Sequence, residues 1–368
     1  MKGEDYKDSY ILKFFRESIL SLQSYTVPQK APVKLNQNES PFDLPVALKE
    51  EIFQELKRYN WNRYPPLRDE ELLQLLADYT GWPVEGILTG NGSNELIQIL
   101  FYAVLSPHER LLVVNPGFAV YPRMAKFTES RLLKIRLKED FSFDTASIIK
   151  ALREEKKIKM VILACPNNPT GTVMSLEEIE EILKNTSSLV VIDEAYYEFY
   201  GRTAVDLLHR YKNLIVLRTL SKAFSAAGLR SGYLLAHPEV VKVLEKTRLP
   251  FSSNIFQLAA SRIILRRRNL VKKTIETILK ERKKLFVRLA QIDGIEPIPS
   301  HTNFILFKST KLAAEKLFDE LKEKGILVRY FPTQELKDFL RVTIGREEEN
   351  ATFIKTLNEI LKRGGDRP

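Results

Sequence analysis

The chain has 368 residues, of which 44% are hydrophobic and 28% are charged. A chain of this length and composition can bury a large core, which excludes a disordered or fibrous protein and predicts one large domain with a smaller companion. No apolar run approaches the ~20 residues that a membrane-spanning helix needs, and the first residues lack the basic and then apolar pattern of a secretory signal. We therefore expect a cytoplasmic protein without a membrane partner.

The cysteine count and the net charge narrow the chemistry. Cys165 is the single cysteine and the chain has 4 histidines, so we expect neither a disulfide framework nor a metal site. The formal net charge of +10 suits either nucleic acid or small anionic ligands. The densest basic run, residues 266–273, also carries apolar residues at helical spacing, which favours the solvated face of a helix over a nucleic-acid site.

In chain order, the first recognisable elements belong to an α/β unit. The segment before about Pro45 is rich in Pro and Asn, and we expect it to run over the surface and to join a smaller domain or a neighbouring subunit. Short apolar runs then alternate with amphipathic helical stretches or loops, which is typical of a mostly parallel sheet. Ser175 and Glu178 form an S-x-x-E capping box at one helix start. The predicted strands are Leu111–Val114, Met160–Ala164, Leu189–Ile192, Leu214–Leu217 and Tyr233–Leu235.

From about Leu265 the pattern changes to that of a second, α+β unit. A long charged helix is predicted at Asn269–Leu289, and a helix near Ala313–Lys324 ends at Gly325. Further strands are predicted at Thr302–Phe307, Ile326–Arg329 and Phe339–Ile344. We therefore predict a large domain of residues 46–264, and a small domain of residues 265–368 accompanied by the N-terminal residues 1–45.

Two polar loops carry residues suited to ligand binding. In the loop at 90–95, which precedes an apolar helix at 96–105, glycines allow a tight turn whose backbone N–H groups and helix dipole could hold a phosphate. The loop at 166–171 is stiffened by two prolines and contains Asn168, whose amide can donate a hydrogen bond to a phenolate oxygen. Either loop by itself would more often be an ordinary turn.

Two ionisable residues follow neighbouring predicted strands. Asp193 ends a buried strand, where a carboxylate needs a cationic or hydrogen-bonded partner; a protonated pyridine nitrogen is one such partner, and a helix cap or a salt bridge is the alternative. Lys222 can form an imine with an aldehyde and act as a general base if its pKa is lowered, although a lone lysine is usually only solvated charge. Ser221 and Arg230, from the same loop, could bind a phosphate.

Three runs in the chain, 193–199, 218–224 and 227–233, resemble those of fold-type I aminotransferases, and within that class the histidinol-phosphate aminotransferase family. The likeness extends from residues 35–42 to residues 340–345. It implies an aspartate-aminotransferase-like α/β fold with pyridoxal 5′-phosphate as cofactor, and a transaminase of histidine biosynthesis. Such an enzyme moves an amino group between glutamate and imidazole-acetol phosphate in a ping-pong reaction that yields histidinol phosphate and 2-oxoglutarate.

Other functions remain open at this point. An aromatic-amino-acid aminotransferase or a threonine-phosphate decarboxylase would share the fold, the lysine, the aspartate and the arginines. A non-catalytic pyridoxal-phosphate-binding protein or a nucleic-acid-binding protein would use the same charge balance for a different purpose. The sequence contains no recognisable helix-turn-helix module, which argues against nucleic acid as a partner.

The resemblance also implies roles for residues around the cofactor. Lys222 would hold the cofactor as a Schiff base and serve as the catalytic base, Asp193 would face the pyridine nitrogen, and Asn168 and Tyr196 would hydrogen-bond the ring O3′. Phe118 would stack on the ring, with core packing as its alternative role. The residues implied to bind the cofactor phosphate are Ser93, Asn94, Ser221, Arg230 and, across a homodimer interface, Tyr64.

The substrate would be bound by residues from the end of the chain and from the N-terminal segment. Arg341 would bind the α-carboxylate of glutamate, and its planar guanidinium suits both carboxylate and phosphate. Arg329 would assist with the substrate phosphate. Surface ion pairs are the alternative role for both arginines. Tyr25 and Asn38 would line or cover the pocket.

Overall fold

The computed structural model describes residues 10–24, 26, 28, 30–155 and 157–365. Its strands are β1 Val33–Lys34, β2 Ile87–Asn91, β3 Arg110–Asn115, β4 Arg131–Arg136, β5 Ile158–Ala164, β6 Leu189–Asp193, β7 Leu214–Thr219, β8 Ser231–Ala236, β9 Ile295–Pro297, β10 Phe304–Ser309, β11 Ile326–Leu327, β12 Arg329–Tyr330 and β13 Phe339–Thr343. Its α-helices are α1 Glu17–Leu20, α2 Val46–Leu56, α3 Glu70–Thr80, α4 Ser93–Val104, α5 Val120–Thr128, α6 Thr145–Glu154, α7 Leu176–Lys184, α8 Tyr197–Tyr200, α9 Pro238–Leu244, α10 Ile255–Arg266, α11 Asn269–Ala290, α12 Ala314–Glu323 and α13 Glu347–Gly365. Short 3₁₀ helices cover Tyr10–Phe14, Val84–Gly86, Val205–His209 and Ala227–Leu229. Among these residues, no helix combines the length and the apolar content needed to cross a bilayer.

The large sheet has seven strands in the order β2-β8-β7-β6-β5-β3-β4. Strands β4, β3, β5, β6 and β7 run parallel to one another, whereas β8 is antiparallel to both of its neighbours, β7 and β2. Strand β2 therefore points the same way as β7. The loops that follow β2, β3, β5, β6 and β7 consequently open at one edge of the sheet, where open α/β sheets bind their ligands.

The apolar runs of the central strands form because helices cover both faces of this sheet. In β5, Met160 and Ile162 belong to one buried cluster, and Val161 and Leu163 belong to the other, as expected where successive side chains point to opposite faces. The five predicted strands of this region are confirmed as β3, β5, β6, β7 and β8, each longer than predicted by one or two residues at one or both ends. The predicted capping box of Ser175 is also present, at the start of α7.

Strands β2 and β4 were not predicted. Strand β4 lies at the edge of the sheet, and Arg131, Lys134 and Arg136 along it are exposed. A charged edge strand reduces the risk of pairing with other chains, but it also removes the apolar run by which a buried strand is identified.

The smaller sheet is antiparallel, with the order β12-β13-β10-β9. Helices α11 and α12 pack against it and α13 packs against both helices, which confirms the predicted α+β character. The prediction of one continuous strand at Ile326–Arg329 is wrong, because the strand is interrupted at Val328. As a result β11 pairs with β1, whereas β12 pairs with β13. The domain boundaries near residues 45 and 264 stay a prediction.

The N-terminal strap, defined here as residues 33–41, does not run over the surface as expected. Leu35 donates its N–H to the Leu327 carbonyl at 2.8 Å and accepts a hydrogen bond from the Thr343 N–H at 2.9 Å, and Asn36 and Asn38 are buried. The strap is drawn inward because β11 and β13 offer backbone partners that a surface segment would otherwise find in water. The strap thus pairs with strands of the smaller α+β unit, whereas the assignment of residues 1–45 as a whole to that unit stays a prediction.

Candidate active site

Asp193, the last residue of β6, is a buried carboxylate with only 3% of its surface exposed. Its Oδ2 accepts a hydrogen bond from the Tyr121 hydroxyl at 2.8 Å, and its Oδ1 accepts one from the Ala195 N–H at 3.1 Å. Burial raises the pKa of Asp193 to about 6, against the opposing effect of these two hydrogen bonds. Since no ion pair to Asp193 exists among the described residues, a cationic ligand group would complete its surroundings.

Lys222 lies in the loop after β7 and is half-buried. Its Nζ donates a hydrogen bond to the backbone carbonyl of Gln37, in the strap, at 3.0 Å. Burial lowers the pKa of Lys222 to about 8; nearby Arg341 acts in the same direction, and Glu39 acts against it. An amine with such a pKa is partly neutral near physiological pH, and the neutral amine is the form that attacks an aldehyde.

The register of the sheet explains how the site assembles. Asp193 is paired with Ala164 of β5 on one side and with Leu217 of β7 on the other. The loop after β5 carries Asn168, and the loop after β7 carries Lys222. Because the three strands run parallel, these two loops flank the Asp193 carboxylate at the ligand-binding edge of the sheet.

Tyr196 is the centre of a hydrogen-bonded group that joins the large sheet to the strap and to β13. Its hydroxyl oxygen accepts hydrogen bonds from Asn38 Nδ2 at 2.8 Å and from Asn168 Nδ2 at 3.3 Å. Arg341 donates from Nη1 to Asn168 Oδ1 at 2.6 Å and from Nη2 to the Asn36 carbonyl at 3.0 Å. Burial also raises the pKa of the Tyr196 hydroxyl, so this group remains a neutral hydrogen-bond donor near neutral pH.

The start of α4 and the loop after β7 form an anion-binding corner. Helix α4 begins at Ser93, and no side chain of the described residues caps its first turn, which includes the exposed Asn94. Arg230 donates from Nη1 to Ser221 Oγ at 3.4 Å. A Cβ on Gly92, whose φ is +79°, would lie 2.5 Å from Arg230 Nη2, so only glycine lets the guanidinium approach this loop. Free amides, a helix dipole and a guanidinium together suit a phosphate.

Phe118 lies next to the residue that holds Asp193. Its ring is half-buried and meets the Tyr121 ring edge-on, with centroids 5.4 Å apart. This position keeps its predicted stacking role possible and also gives it packing contacts with the core. The stacking role stays a prediction.

Arg329 and Arg341 are directly opposite each other in the β12–β13 pair. Their guanidinium carbons lie 5.8 Å and 5.6 Å from the centroid of the Phe331 ring. A guanidinium suits carboxylate and phosphate oxygens alike. The smaller sheet therefore presents two arginines that a doubly anionic ligand could bridge.

Within the described residues, Tyr64 is not brought to this group. Tyr64 is 81% exposed and stacks on Phe251 with ring centroids 4.5 Å apart, and within the described residues no contact of Tyr64 with Asp193 or Lys222 is recorded. Tyr25 lies outside the described residues. The roles of Tyr64 and Tyr25 stay predictions.

Three residues around Asp193 were missed by the sequence analysis. Tyr121 donates a hydrogen bond to Asp193 from the first turn of α5, and no local sequence signal identifies this contact. Glu194 and Arg218 form a buried ion pair with an N–O distance of 2.9 Å directly beside Asp193. The signal for this pair was the charge of Glu194 at the end of a buried strand, which requires a partner.

The family model described as aminotransferase class I and II matches residues 30–357. The chain belongs to this family. This aminotransferase is 37% identical over 351 residues to the histidinol-phosphate aminotransferase of Chlorobium phaeovibrioides, and the alignment covers 94% of this chain and 97% of the relative. These matches confirm the predicted family.

Solved structures agree with this assignment. The histidinol-phosphate aminotransferase of Sinorhizobium meliloti in complex with pyridoxal-5′-phosphate superposes with a TM-score of 0.87 at 25% identity, covering 95% of this chain and 98% of that one. An aspartate aminotransferase variant of Thermus thermophilus superposes with a TM-score of 0.80 at 21% identity, covering 94% and 99%. The predicted aspartate-aminotransferase-like fold is confirmed.

The residues of the aminotransferase fit pyridoxal 5′-phosphate. The buried Asp193 carboxylate suits a protonated ring nitrogen, and the Lys222 amine suits the aldehyde. The corner formed by Ser93 and Arg230 around Gly92 suits the phosphate, since a side chain on Gly92 would fill the space that the guanidinium uses.

The lowered pKa of Lys222 predicts how cofactor uptake depends on pH. At a pH below its pKa of about 8, the Lys222 amine is protonated and cannot attack the aldehyde. The rate at which the cofactor-free enzyme takes up pyridoxal phosphate should therefore rise with pH and reach half its maximum near pH 8. Stopped-flow absorbance over about four pH units measures this rate. Lys222→Arg, which keeps the charge but forms no imine, should give no absorbance change, and a midpoint near the ordinary lysine pKa of 10.5 would contradict the assignment.

Proposed function

We propose that this aminotransferase binds pyridoxal phosphate and transfers an amino group between glutamate and imidazole-acetol phosphate. In this proposal the reaction is a step of histidine biosynthesis and takes place in the cytoplasm. The observation that carries the proposal is the placement of buried Asp193 at the end of β6 and of half-buried Lys222 in the loop after the neighbouring β7, with Arg329 and Arg341 paired on the smaller sheet. The names of the relatives that this chain resembles support the choice of substrates.

Asp193 and Lys222 have different roles in the proposed reaction. The bound cofactor supplies an aldehyde that takes the amino group and a protonated ring that accepts electron density when a proton leaves the substrate Cα. Asp193 keeps the ring nitrogen protonated, since a neighbouring cation stabilises the ionised carboxylate. With the cofactor bound, Lys222 Nζ would hold its aldehyde carbon. Once displaced by an incoming amine, Lys222 Nζ would take the proton from the substrate Cα and pass it to the former aldehyde carbon. The hydrogen bond from Nζ to the Gln37 carbonyl would orient the amine for this role.

The substrates share one binding place because both are anions. Arg341 binds the α-carboxylate of glutamate, and Asn168 holds the guanidinium from behind through Oδ1. Arg329, on the neighbouring strand, binds the phosphate of the second substrate. A planar guanidinium makes two parallel hydrogen bonds to either anion, so Arg341 serves both half-reactions and Arg329 joins it only at the substrate phosphate.

The substrate assignment is tested by the two half-reactions taken separately. The cofactor-loaded enzyme should change its visible spectrum with glutamate and also with histidinol phosphate, because each donates its amino group to the cofactor. Stopped-flow spectra with glutamate, histidinol phosphate, phenylalanine and threonine phosphate measure this. Turnover confined to phenylalanine or to threonine phosphate would exclude the proposed substrates and leave the aminotransferase family assignment unaffected.

The roles of the two arginines predict a selective loss. Arg329→Gln should raise the KM for histidinol phosphate by about 10- to 100-fold, the effect of losing charge-assisted hydrogen bonds, and should leave the glutamate half-reaction close to normal. Arg341→Gln should impair both half-reactions. Steady-state kinetics with each substrate measures the split. Arg288→Gln, on the exposed surface of α11, is the matched control for loss of one positive charge; an equal loss for both substrates in Arg329→Gln would contradict the phosphate role.

The surface around Tyr64 supports a homodimer. Trp61, Tyr64 and Leu67 are exposed, and the Tyr64 ring stacks on Phe251, from a segment in which Leu249 is also exposed. Exposed apolar side chains that include three aromatic rings are typical of a protein–protein interface. We propose that a second copy of the chain covers this patch and that Tyr64 reaches the cofactor phosphate of that copy.

Shared sites of this kind predict complementation between two inactive variants. Lys222→Ala and Tyr64→Ala chains, each inactive or weak alone, should recover activity when refolded together, because each mixed dimer contains one site with an intact lysine and an intact partner tyrosine. Random pairing makes about half of the dimers mixed, so about a quarter of wild-type activity is expected. Activity that never exceeds the sum of the separate variants would show that Tyr64 acts within its own chain or not at all.

A further inference from the structure

Asn38 is the most completely bonded residue of the strap. It is 2% exposed and adopts a φ of +55°, a left-handed conformation that asparagine tolerates better than most residues. Its N–H donates to Thr343 Oγ1 at 2.9 Å, its carbonyl accepts from Asn303 Nδ2 at 3.0 Å, and its Nδ2 donates to the Tyr196 hydroxyl oxygen at 2.8 Å. Asn38 is therefore held by its backbone to the smaller α+β unit and by its side chain to Tyr196, which follows strand β6 of the large sheet.

The direction of each hydrogen bond follows from which groups can only donate. Thr343 Oγ1 accepts the Asn38 N–H, and its own hydrogen is donated to Asn38 Oδ1 at 3.3 Å; the Asn38 amide nitrogen must then face Tyr196. A guanidinium has no acceptor, so Arg341 fixes Asn168 Oδ1 toward itself, and the Asn168 amide nitrogen also faces Tyr196.

These hydrogen-bond directions determine how the Tyr196 hydroxyl can still bond. A hydroxyl has two acceptor positions and one hydrogen, and Asn38 and Asn168 occupy both acceptor positions. The hydrogen of Tyr196 is therefore available only for donation, and no acceptor for it is recorded among the described residues.

We propose that Asn38 is a positioning residue that commits the Tyr196 hydroxyl to donate its hydrogen to the ring oxygen of the bound cofactor. Asn38 thus acts through Tyr196 and does not contact the substrate, which differs from the pocket-lining role expected from the resemblance. The inference rests on the proposed function, since it needs the cofactor in the site.

The physical consequence is a change in acid–base behaviour. A hydrogen bond donated to the ring oxygen favours its ionised form, and a hydroxyl that already accepts two hydrogen bonds is a stronger donor. With the cofactor bound, a hydrogen bond from Tyr196 that stabilises the ionised ring oxygen would lower the pKa of the nitrogen that joins Lys222 to the aldehyde carbon. The visible absorbance of the cofactor-loaded enzyme should therefore titrate at a lower pH with Asn38 present than without it.

The experiment is a pH titration of the visible absorbance of the cofactor-loaded enzyme without substrate, together with the cofactor dissociation constant. Asn38→Gly removes the amide and keeps the left-handed backbone accessible, and its titration midpoint should rise by about one pH unit. Tyr196→Phe should shift the midpoint in the same direction. Asn303→Ala is the matched control: it removes a hydrogen bond to the strap but keeps the Asn38 amide, so its midpoint should stay near that of the wild type.

A second variant covers a failure of Asn38→Gly to fold. Asn38→Asp keeps an acceptor for Thr343 but cannot donate to Tyr196, and its midpoint should also rise. An unchanged midpoint in a folded Asn38 variant, or an equal rise in Asn303→Ala, overturns the inference. A wild-type protein that gains no visible absorbance with pyridoxal phosphate would instead refute the proposed function, so the two failures are distinguishable.

Discussion

The burial of the Asp193 carboxylate is the constraint on which the rest of the site depends. A carboxylate at the end of a buried strand costs free energy unless it is hydrogen-bonded and meets a positive charge. Tyr121 and Ala195 supply one hydrogen bond to each oxygen, but within the described residues the positive charge is missing. The chain thus maintains a position where a cationic ring is stabilised.

The topology of the large sheet turns this position into a site. Because the strands that precede Phe118, Asn168, Asp193 and Lys222 all run the same way, residues from four separate stretches of the chain are delivered to one edge. The same edge receives the start of α4, whose dipole favours an anion. The residues suited to the two ends of pyridoxal phosphate are brought together by the parallel strands, although they lie far apart in the sequence.

The strap adds a connection that the sheet alone does not provide. Through Asn36 and Asn38 it contacts Arg341 and Tyr196, and through Gln37 it contacts Lys222. The strap therefore contacts three groups of the proposed site: Arg341, which would bind substrate, Tyr196, which would bind the ring oxygen, and the Lys222 amine. A segment held by the smaller sheet can in this way set the hydrogen bonding of residues on the large sheet.

The sequence by itself determined the elements whose signals are local. The apolar runs of β5 to β7, the capping box at Ser175 and the motifs around Asp193 and Lys222 were readable because periodicity, caps and strand-end charges depend on neighbouring residues. Only the tertiary structure decided which distant groups meet. The inward path of the strap, the break at Val328, the Tyr121 hydrogen bond and the Glu194–Arg218 pair join residues far apart in the chain. Such contacts follow from sheet order and packing, which no local pattern encodes.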